Sequence, residues 1–258
     1  MKSNNTISDK FIISITSVPF RFKNELIRVL KNLSNNTIDI PIVVSIPKSY
    51  RKGWTYTSED LLEITKQPGV ILNIIDIDYG PATKLLGGIE WARKNNKDIQ
   101  GIITMDDDIL FENPAMKIID LLKLYVQHSK DVITYHGLKL INPPYYSGNG
   151  LHGVKEEWCH SVAGFLGVMY PKSFINSSVP FDLFEELDPN FYSEDDAYFG
   201  AVAARLNLKI WSSTNANKWS SISKESAVDK VLEGDRRDRE SQMFNELIRK
   251  GFFPSLTS

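Results

Sequence analysis

Only one cysteine, Cys159, occurs among the 258 residues, which rules out a disulfide within the chain and a zinc cluster built on four cysteines. That fits a reducing compartment, with the thiol read as a small buried hydrophobe. An excess of either charge is also missing: 30 Lys plus Arg stand against 32 Asp plus Glu, a formal −2, so nothing draws the whole chain to nucleic acid or to an anionic membrane. Any anion site must be local. The longest apolar stretches, residues 70–77 and 162–170, are interrupted and fall far below the roughly 20 residues that cross a bilayer. The polar opening MKSNNTISDK lacks the apolar centre of a signal peptide. The expectation is a soluble cytoplasmic protein with no transmembrane segment and no nucleic-acid partner. Internal repeats and low-complexity tracts are absent as well.

What is present is an alternation. Residues 11–17, 42–46, 70–77, 101–105 and 131–135 are short runs rich in Ile and Val and read as strands. Between them Leu26, Leu30 and Leu33, then Leu85, Ile89 and Ala92, then Ile118, Leu121, Leu122 and Tyr125 recur at helical spacing. Strands separated by helices predict right-handed crossovers, a mainly parallel central sheet and one α/β domain over 1–258, with ligands beyond the C-terminal ends of the strands. After about residue 140 the texture changes to INPPYYSGNGLHGVKEEWCH, aperiodic and read as a binding loop. SVAGFLGVMYP reads as a strand pair or strand edge. Ala197, Ala201, Ala204 and Leu208 mark a helix leading into a strand. Residues 224–240 are densely charged and read as a mobile segment, followed by a final helix or turn docking through Met243, Leu247 and Phe252.

The strand at 101–105 delivers three consecutive carboxylates, Asp106, Asp107 and Asp108. Three acids at the mouth of a buried strand repel one another unless a cation joins them. A hard divalent ion, Mn²⁺ or Mg²⁺, takes oxygen ligands and leaves room for phosphate oxygens. Helix capping is the plainer role for such acids, but Asn113 and Pro114 already supply the cap and first turn of the next helix. Strand alternation would send Asp106 and Asp108 to one side and Asp107 to the other. On that pattern Asp108 is the direct metal ligand, Asp106 a metal or ribose contact, and Asp107 a support within the donor site.

TMDDDI, ISITSVPFRF at the first strand, DYGPATKLLGG after the third and SEDDAYFG late in the chain together resemble the glycosyltransferases of the GT-A fold, over most of residues 10–212. The resemblance implies a nucleoside-diphosphate-sugar donor held by about residues 10–140, a divalent metal at the Asp-X-Asp site, and a saccharide or glycoconjugate acceptor held by about residues 141–258. In that fold the loop after the first strand cradles the nucleotide, which makes Thr16 and Arg21 donor-binding candidates. Arg21 can equally be a solvated cation at a helix start.

Lys84 lies in an opening helical turn, where a helix prefers acids, so a bound diphosphate would account for it. Asp76 and Asp78 are candidates for ribose or base, with turn formation the alternative for Asp78. Ser193 followed by Glu194, Asp195 and Asp196 matches a capping box, yet three acids exceed that need. If the reaction inverts, Asp195, with Asp196 in reserve, takes the proton of the acceptor hydroxyl. Gly164 and Gly167 would let backbone approach the donor sugar, or serve strand packing. Trp54, Tyr145, Tyr146 and Trp158 are candidates for stacking on a sugar, with Tyr192 and His160 at the acceptor. Many metal-dependent members of the fold carry a late histidine ligand. This chain departs from that, since His128, His136, His152 and His160 all precede SEDD. His128 reads as structural. Arg236 and Arg237 could close on the diphosphate as part of a lid, or lie on a solvated helix.

Two other readings remain open. A sugar nucleotidyltransferase would carry a Gly-rich loop after its first strand, where SITSVPFRF has no glycine. A non-catalytic saccharide-binding protein of the same fold would keep the cleft without the chemistry. A haloacid-dehalogenase-type phosphatase is disfavoured, because its Asp-X-Asp belongs at the first strand.

Overall fold

The computed structural model describes residues 10–35, 39–95, 98–128, 130–139, 157–188, 191–213, 218–222 and 236–253. Its strands are β1 (Phe11–Ile15), β2 (Ile42–Pro47), β3 (Val70–Ile75), β4 (Gly101–Thr104), β5 (Ile109–Phe111), β6 (Val132–Thr134), β7 (Gly137–Leu138), β8 (Glu157–Cys159), β9 (Ser161–Val162), β10 (Val168–Pro171), β11 (Ile210–Ser212) and β12 (Trp219–Ser221). The helices are α1 (Ile27–Ser34), α2 (Ser58–Thr65), α3 (Thr83–Asn95), α4 (Pro114–Gln127), α5 (Lys172–Asn176), α6 (Val179–Glu186), α7 (Asp195–Arg205) and α8 (Arg236–Arg249). Eight strands form one sheet in the order β3-β2-β1-β4-β10-β6-β11-β8, with β12-β5 and β7-β9 as two small antiparallel pairs. Pairing is parallel through β3, β2, β1 and β4 and again between β6 and β11, while β10 and β8 run against their neighbours.

The near-continuous Ile and Val of these strands follows from burial on both faces. Ile12, Val43 and Ile102 join the core beneath α3, α7 and α8, while their sequence neighbours Ile13, Val44 and Ile103 join the core beneath α1 and α4. The period of two thus splits each strand between two apolar layers. The five strands expected from the N-terminal half are all present, each a residue or two shorter or longer at its ends.

Two expectations need correction, and one helix was missed. SVAGFLGVMYP holds two strands, β9 and β10, which do not pair with each other, and it forms no edge: β10 lies in the middle of the sheet, antiparallel between β4 and β6, and β9 pairs with β7. Apolar content alone cannot tell a central reversed strand from an edge one. Helix α2 went unread because only Ile64 of it is buried, although its capping box was visible in Thr57 and Asp60: the Asp60 N–H donates to Thr57 Oγ1 (3.2 Å) and the Thr57 N–H to Asp60 Oδ2 (3.0 Å). The charged stretch is already helical from Arg236, so its last residues belong to α8 rather than to a mobile segment; residues 223–235 and the loop 140–156 lie outside the described residues. Met243, Leu247 and Phe252 are buried, as a docked C-terminal helix requires.

One packing detail positions the site. A Cβ on Gly87 would lie 2.5 Å from the Ser45 side chain of β2, and one on Gly88 would lie 2.6 Å from Ser14 Oγ of β1. These two glycines let α3 press directly on the sheet, which seats Lys84, one turn earlier, beneath the strand ends. Gly87→Val or Gly88→Val should therefore cost about 1–3 kcal/mol through overpacking, read from urea unfolding at equilibrium. Unchanged midpoints would show that the helix can lift away freely.

Candidate functional site

Beyond the C-terminal ends of β1 to β4 opens a cleft of about 520 Å³. The loop after β1 contributes Thr16, Ser17, Val18 and Arg21; the loop after β2 contributes Tyr50, Lys52 and Trp54; the turn before α3 contributes Asp78, Gly80, Pro81 and Lys84. Asp106 to Asp108 line its centre, and Tyr192, Ser193, Asp195 and Asp196 arrive from the start of α7. Two acidic segments almost 90 residues apart thus share one cavity.

Two buried cations organise them. Lys84 Nζ lies 2.8 Å from Asp106 Oδ1 and 2.9 Å from Asp195 Oδ2. The contact with Asp195 is an ion pair without hydrogen-bond alignment, so Oδ2 accepts no hydrogen bond. Arg21 Nη1 donates to Asp107 Oδ1 at 2.8 Å, and its Nη2 stands 3.3 Å from Asp108 Oδ2. Ser17 Oγ donates to Asp107 as well, in a short contact, and Ser17 O accepts from Tyr50 Oη at 2.7 Å. Arg21 ends a 3-10 turn, Pro19–Arg21, and runs into a π turn over Phe22–Leu26 before α1 begins, an irregular start that suits a functional loop.

The alternation expected of the trio holds in burial, with Asp107 more buried than Asp106 and Asp108, but not in the ion pairs. Strand β4 ends at Thr104, so the aspartates sit in a turn, where Asp107 and Asp108 share Arg21 while Asp106 turns to Lys84. Burial, followed by the charges of Asp107 and Asp106, pushes the Asp108 carboxyl up to about 6. Burial and then Asp195 raise Asp196 well above the ordinary carboxyl range. Burial alone would drive the Lys84 ammonium down, but Asp106, Asp195 and Asp196 more than offset it and hold the charge in place.

Gly164 has a structural duty here: its N–H donates to Asp196 Oδ1 at 2.8 Å, and a Cβ would stand 2.8 Å from that oxygen and 3.3 Å from Lys84 Nζ. Gly167 takes φ +96° at the entry to β10. The capping box read in SEDD is not formed. Glu194 is the N-cap residue and makes no side-chain cap, Ser193 Oγ donates to Glu194 Oε1 instead, and Arg239 of α8 pairs with Glu194 at 3.2 Å.

The remaining candidates divide. Thr16 Oγ1 donates to Ser45 O at 2.8 Å at the cleft edge. Asp78 forms its turn, accepting from Arg51 N–H (2.8 Å) and Gly80 N–H (2.9 Å), and the Tyr192 hydroxyl bonds it too. The ring of Tyr192 packs where Gly80, at φ +60°, leaves no room for a Cβ, and the Arg51 guanidinium stacks 4.7 Å from its centre. Trp54 is in the cleft, edge-on to Phe20 at 5.2 Å. Asp76 is not: it is exposed and paired with Lys48. Trp158 and His160 are not brought to the cleft either. They line a second hollow of about 470 Å³ with Lys209 and Cys159, because β8 is the far edge strand of the sheet. Burial raises the Cys159 thiol to about 12, and His128 stacks on Trp211 at 4.8 Å, a packing role. Tyr145, Tyr146 and His152 lie outside the described residues, as do the side chains of Arg236 and Arg237. Tyr50, Phe165 and Trp219 were missed. Tyr50 follows a strand as Thr16 does and was findable on that ground; nothing local in sequence distinguishes the other two.

As for a metal, no group of three or more His, Cys, Asp or Glu side chains is arranged to hold one among the described residues. The trio is not a ready-made cage. It nonetheless fits a hard ion that takes its other oxygens from substrate and water: Asp106 and Asp108 keep 26% and 17% of their side chains exposed, against 9% for Asp107. Six aspartates, Asp78, Asp106, Asp107, Asp108, Asp195 and Asp196, and three cations, Arg21, Lys52 and Lys84, line the cleft among the described residues, a formal −3 with every carboxyl ionised that would repel a diphosphate unless a further cation joined it.

No family model and no curated protein matches the chain. Solved structures do. Staphylococcus aureus TarS 1–349 in complex with UDP-GlcNAc is 14% identical with a TM-score of 0.56, covering 93% of this chain and 65% of that one. CMP:2-keto-3-deoxy-manno-octonic acid synthetase complexed with CTP is 11% identical with a TM-score of 0.51, covering 86% of this chain and 96% of that one. The chain therefore spans about two thirds of the first and nearly all of the second. These likenesses establish the fold, a GT-A-type, Rossmann-like α/β sheet flanked by helices. Among the described residues, no helix is long and apolar enough to cross a membrane.

The raised Asp108 carboxyl makes a signed prediction. The folded state holds that proton more tightly than the unfolded chain, so stability falls as pH rises from about 4 to about 6 and the cost persists above. Asp108→Asn should stabilise the metal-free protein by about 1–2 kcal/mol at pH 8 and by nothing near pH 4, measured by denaturant unfolding. A difference independent of pH would place Asp108 in open solvent.

Proposed function

We propose that the protein is a glycosyltransferase, acting in the cytoplasm, that moves a sugar from a nucleoside diphosphate to a saccharide or glycoconjugate acceptor with Mn²⁺ or Mg²⁺. The observation that carries this reading is Lys84 holding Asp106 and Asp195 together, so that the donor-side acids and the late acidic segment form a single centre. The fold is shared with one structure that holds a nucleotide sugar and one that holds a nucleoside triphosphate, which supports a nucleotide ligand at the strand ends.

In this reading the β1 and β2 loops, with Thr16, Tyr50 and Trp54, receive the nucleotide. Asp106 and Asp108 would hold the divalent ion, which supplies positive charge to the departing diphosphate oxygens. Arg21 and Lys84 orient those carboxylates through their ion pairs. Asp195, paired with Lys84, takes the proton from the acceptor hydroxyl as its oxygen bonds to the anomeric carbon and the bond from that carbon to the β-phosphate oxygen breaks. Asp196 positions this residue: its carboxylate accepts the Gly164 N–H, and its carbonyl accepts from Ser161 Oγ at 2.6 Å.

A second reading, a sugar nucleotidyltransferase, draws on the synthetase likeness, which spans 96% of that chain. The two differ in the product released. With Mn²⁺, a panel of nucleotide sugars should yield free nucleoside diphosphate, by slow hydrolysis alone and faster with acceptor. Release of pyrophosphate from a nucleoside triphosphate plus free sugar would establish the rival. In the transfer assay Asp195→Asn should keep donor binding and lose about 10²–10⁴-fold in rate. Unimpaired turnover would reduce Asp195 to a helix-start residue.

A further inference from the structure

The cleft has a far wall that the donor does not explain. The sheet order places β1, β2 and β3 on one side of β4 and β10 on the other, while β7 and β9 form a separate antiparallel pair that precedes β10 in the chain. Leu138 of that pair stands with Ala163, Phe165 and Trp219, all lining the same cavity. Trp219 belongs to β12, which pairs with β5, and Ile222 N–H donates to Asp108 O at 2.9 Å, tying this strand to the acidic turn. Trp219 and Ser221 are two residues apart on a strand and share the face turned to the cleft.

The Trp219 ring lies 5.2 Å from Phe165 at 69°, and Phe165 is backed at 5.3 Å by the buried ring of His136. Three rings thus fix the platform, while 42% of Trp219 stays exposed. An indole held rigid by aromatic backing and left open on a cavity wall has no packing duty that accounts for its exposure. Beside it lie carboxylates and the hydroxyl of Ser221. A flat apolar face next to hydrogen-bonding groups matches a sugar ring, whose C–H face is apolar and whose edge carries hydroxyls.

Charge narrows the ligand further. The cations lining the cleft among the described residues, Arg21, Lys52 and Lys84, all come from the β1 to β3 side, and Arg21 and Lys84 are already paired with aspartates. We infer that Trp219, backed by Phe165, is the stacking platform for the acceptor, and that the acceptor presents an uncharged sugar ring there rather than a phosphorylated or acidic one. This relocates the acceptor from Trp158 and His160, and it rests on the transfer reading for the word acceptor.

The test uses the full chain and a panel of neutral methyl glycosides (glucose, galactose, mannose and N-acetylglucosamine), with ribitol as a ring-free control and glucose 6-phosphate as an anionic one. Saturation-transfer NMR should show contact from ring C–H protons of at least one neutral glycoside, several-fold weaker for both controls. In Trp219→Ala that signal should fall at least about fivefold, and Trp219→Phe should recover part of it. Stabilisation by nucleoside diphosphate with Mn²⁺, read in the same samples, should be the same in both variants. Absence of glycoside contact in the native chain, an undiminished signal in Trp219→Ala, or stronger contact from glucose 6-phosphate would each overturn the platform. Loss of nucleotide response in Trp219→Ala would also overturn it, by assigning the indole to the donor pocket. A native chain that binds glycosides through Trp219 but no nucleotide would instead overturn the transferase reading and leave the platform standing.

Discussion

A buried ammonium between two carboxylates is the contact on which the site depends. Lys84 is 6% exposed, and each partner comes from a different part of the chain: Asp106 from the end of β4 and Asp195 from the first turn of α7. Removing the lysine would leave the buried Asp195 facing Asp106 with Asp196 alongside, and deleting one partner of a buried pair is far more costly than the pair is worth when whole. The helix that carries Lys84 is seated by Gly87 and Gly88 against Ser45 and Ser14, and the loop above it needs a glycine at 164 to clear both Lys84 and Asp196. Packing, backbone choice and electrostatics converge on one nitrogen atom.

The same centre is built against stability. Three consecutive acids and two more at the start of a helix share the cleft, and burial, followed by the charges of Asp107 and Asp106, raises the Asp108 carboxyl. A chain selected for stability alone would place neutral side chains there. Such a site fits the proposed partner, a diphosphate chelating a divalent ion, whose positive charge would meet Asp106 and Asp108. Among the described residues the far wall contributes Leu138, Ala163, Phe165, Trp219 and Ser221, so on the proposed reading one cavity would meet both the diphosphate and the sugar ring.

Much of this was legible in sequence where short-range rules apply. Strands β1 to β4, the cap at Asn113 and the apolar stripes of α3 and α4 all follow from periodicity and local hydrogen bonding, which act over a few residues. The importance of Lys84 was also legible, since a cation in an opening helical turn needs a reason; its aspartate partners were not, because they lie 22 residues and more than 100 residues away. Strand alternation anticipated the trio's burial but not its ion pairs, because nothing in TMDDDI tells where the strand stops. Trp158 looked attractive in an aperiodic region, yet β8 carries it to the outer edge of the sheet; Trp219, with polar neighbours and no pattern, is delivered to the cleft by pairing with β5. Both outcomes are decided by long-range strand pairing.

The central claim is that the acidic trio takes a divalent ion together with a diphosphate while Arg21 and Lys84 stay with their aspartates. The most direct measurement is an anomalous-scattering map from crystals grown with Mn²⁺ and a nucleoside diphosphate. The account predicts one manganese peak within coordination distance of Asp106 and Asp108 and of diphosphate oxygens, with both ion-pair sets intact. A diphosphate bound by Arg21 and Lys84 after they release their carboxylates, with no manganese at the trio, would contradict it.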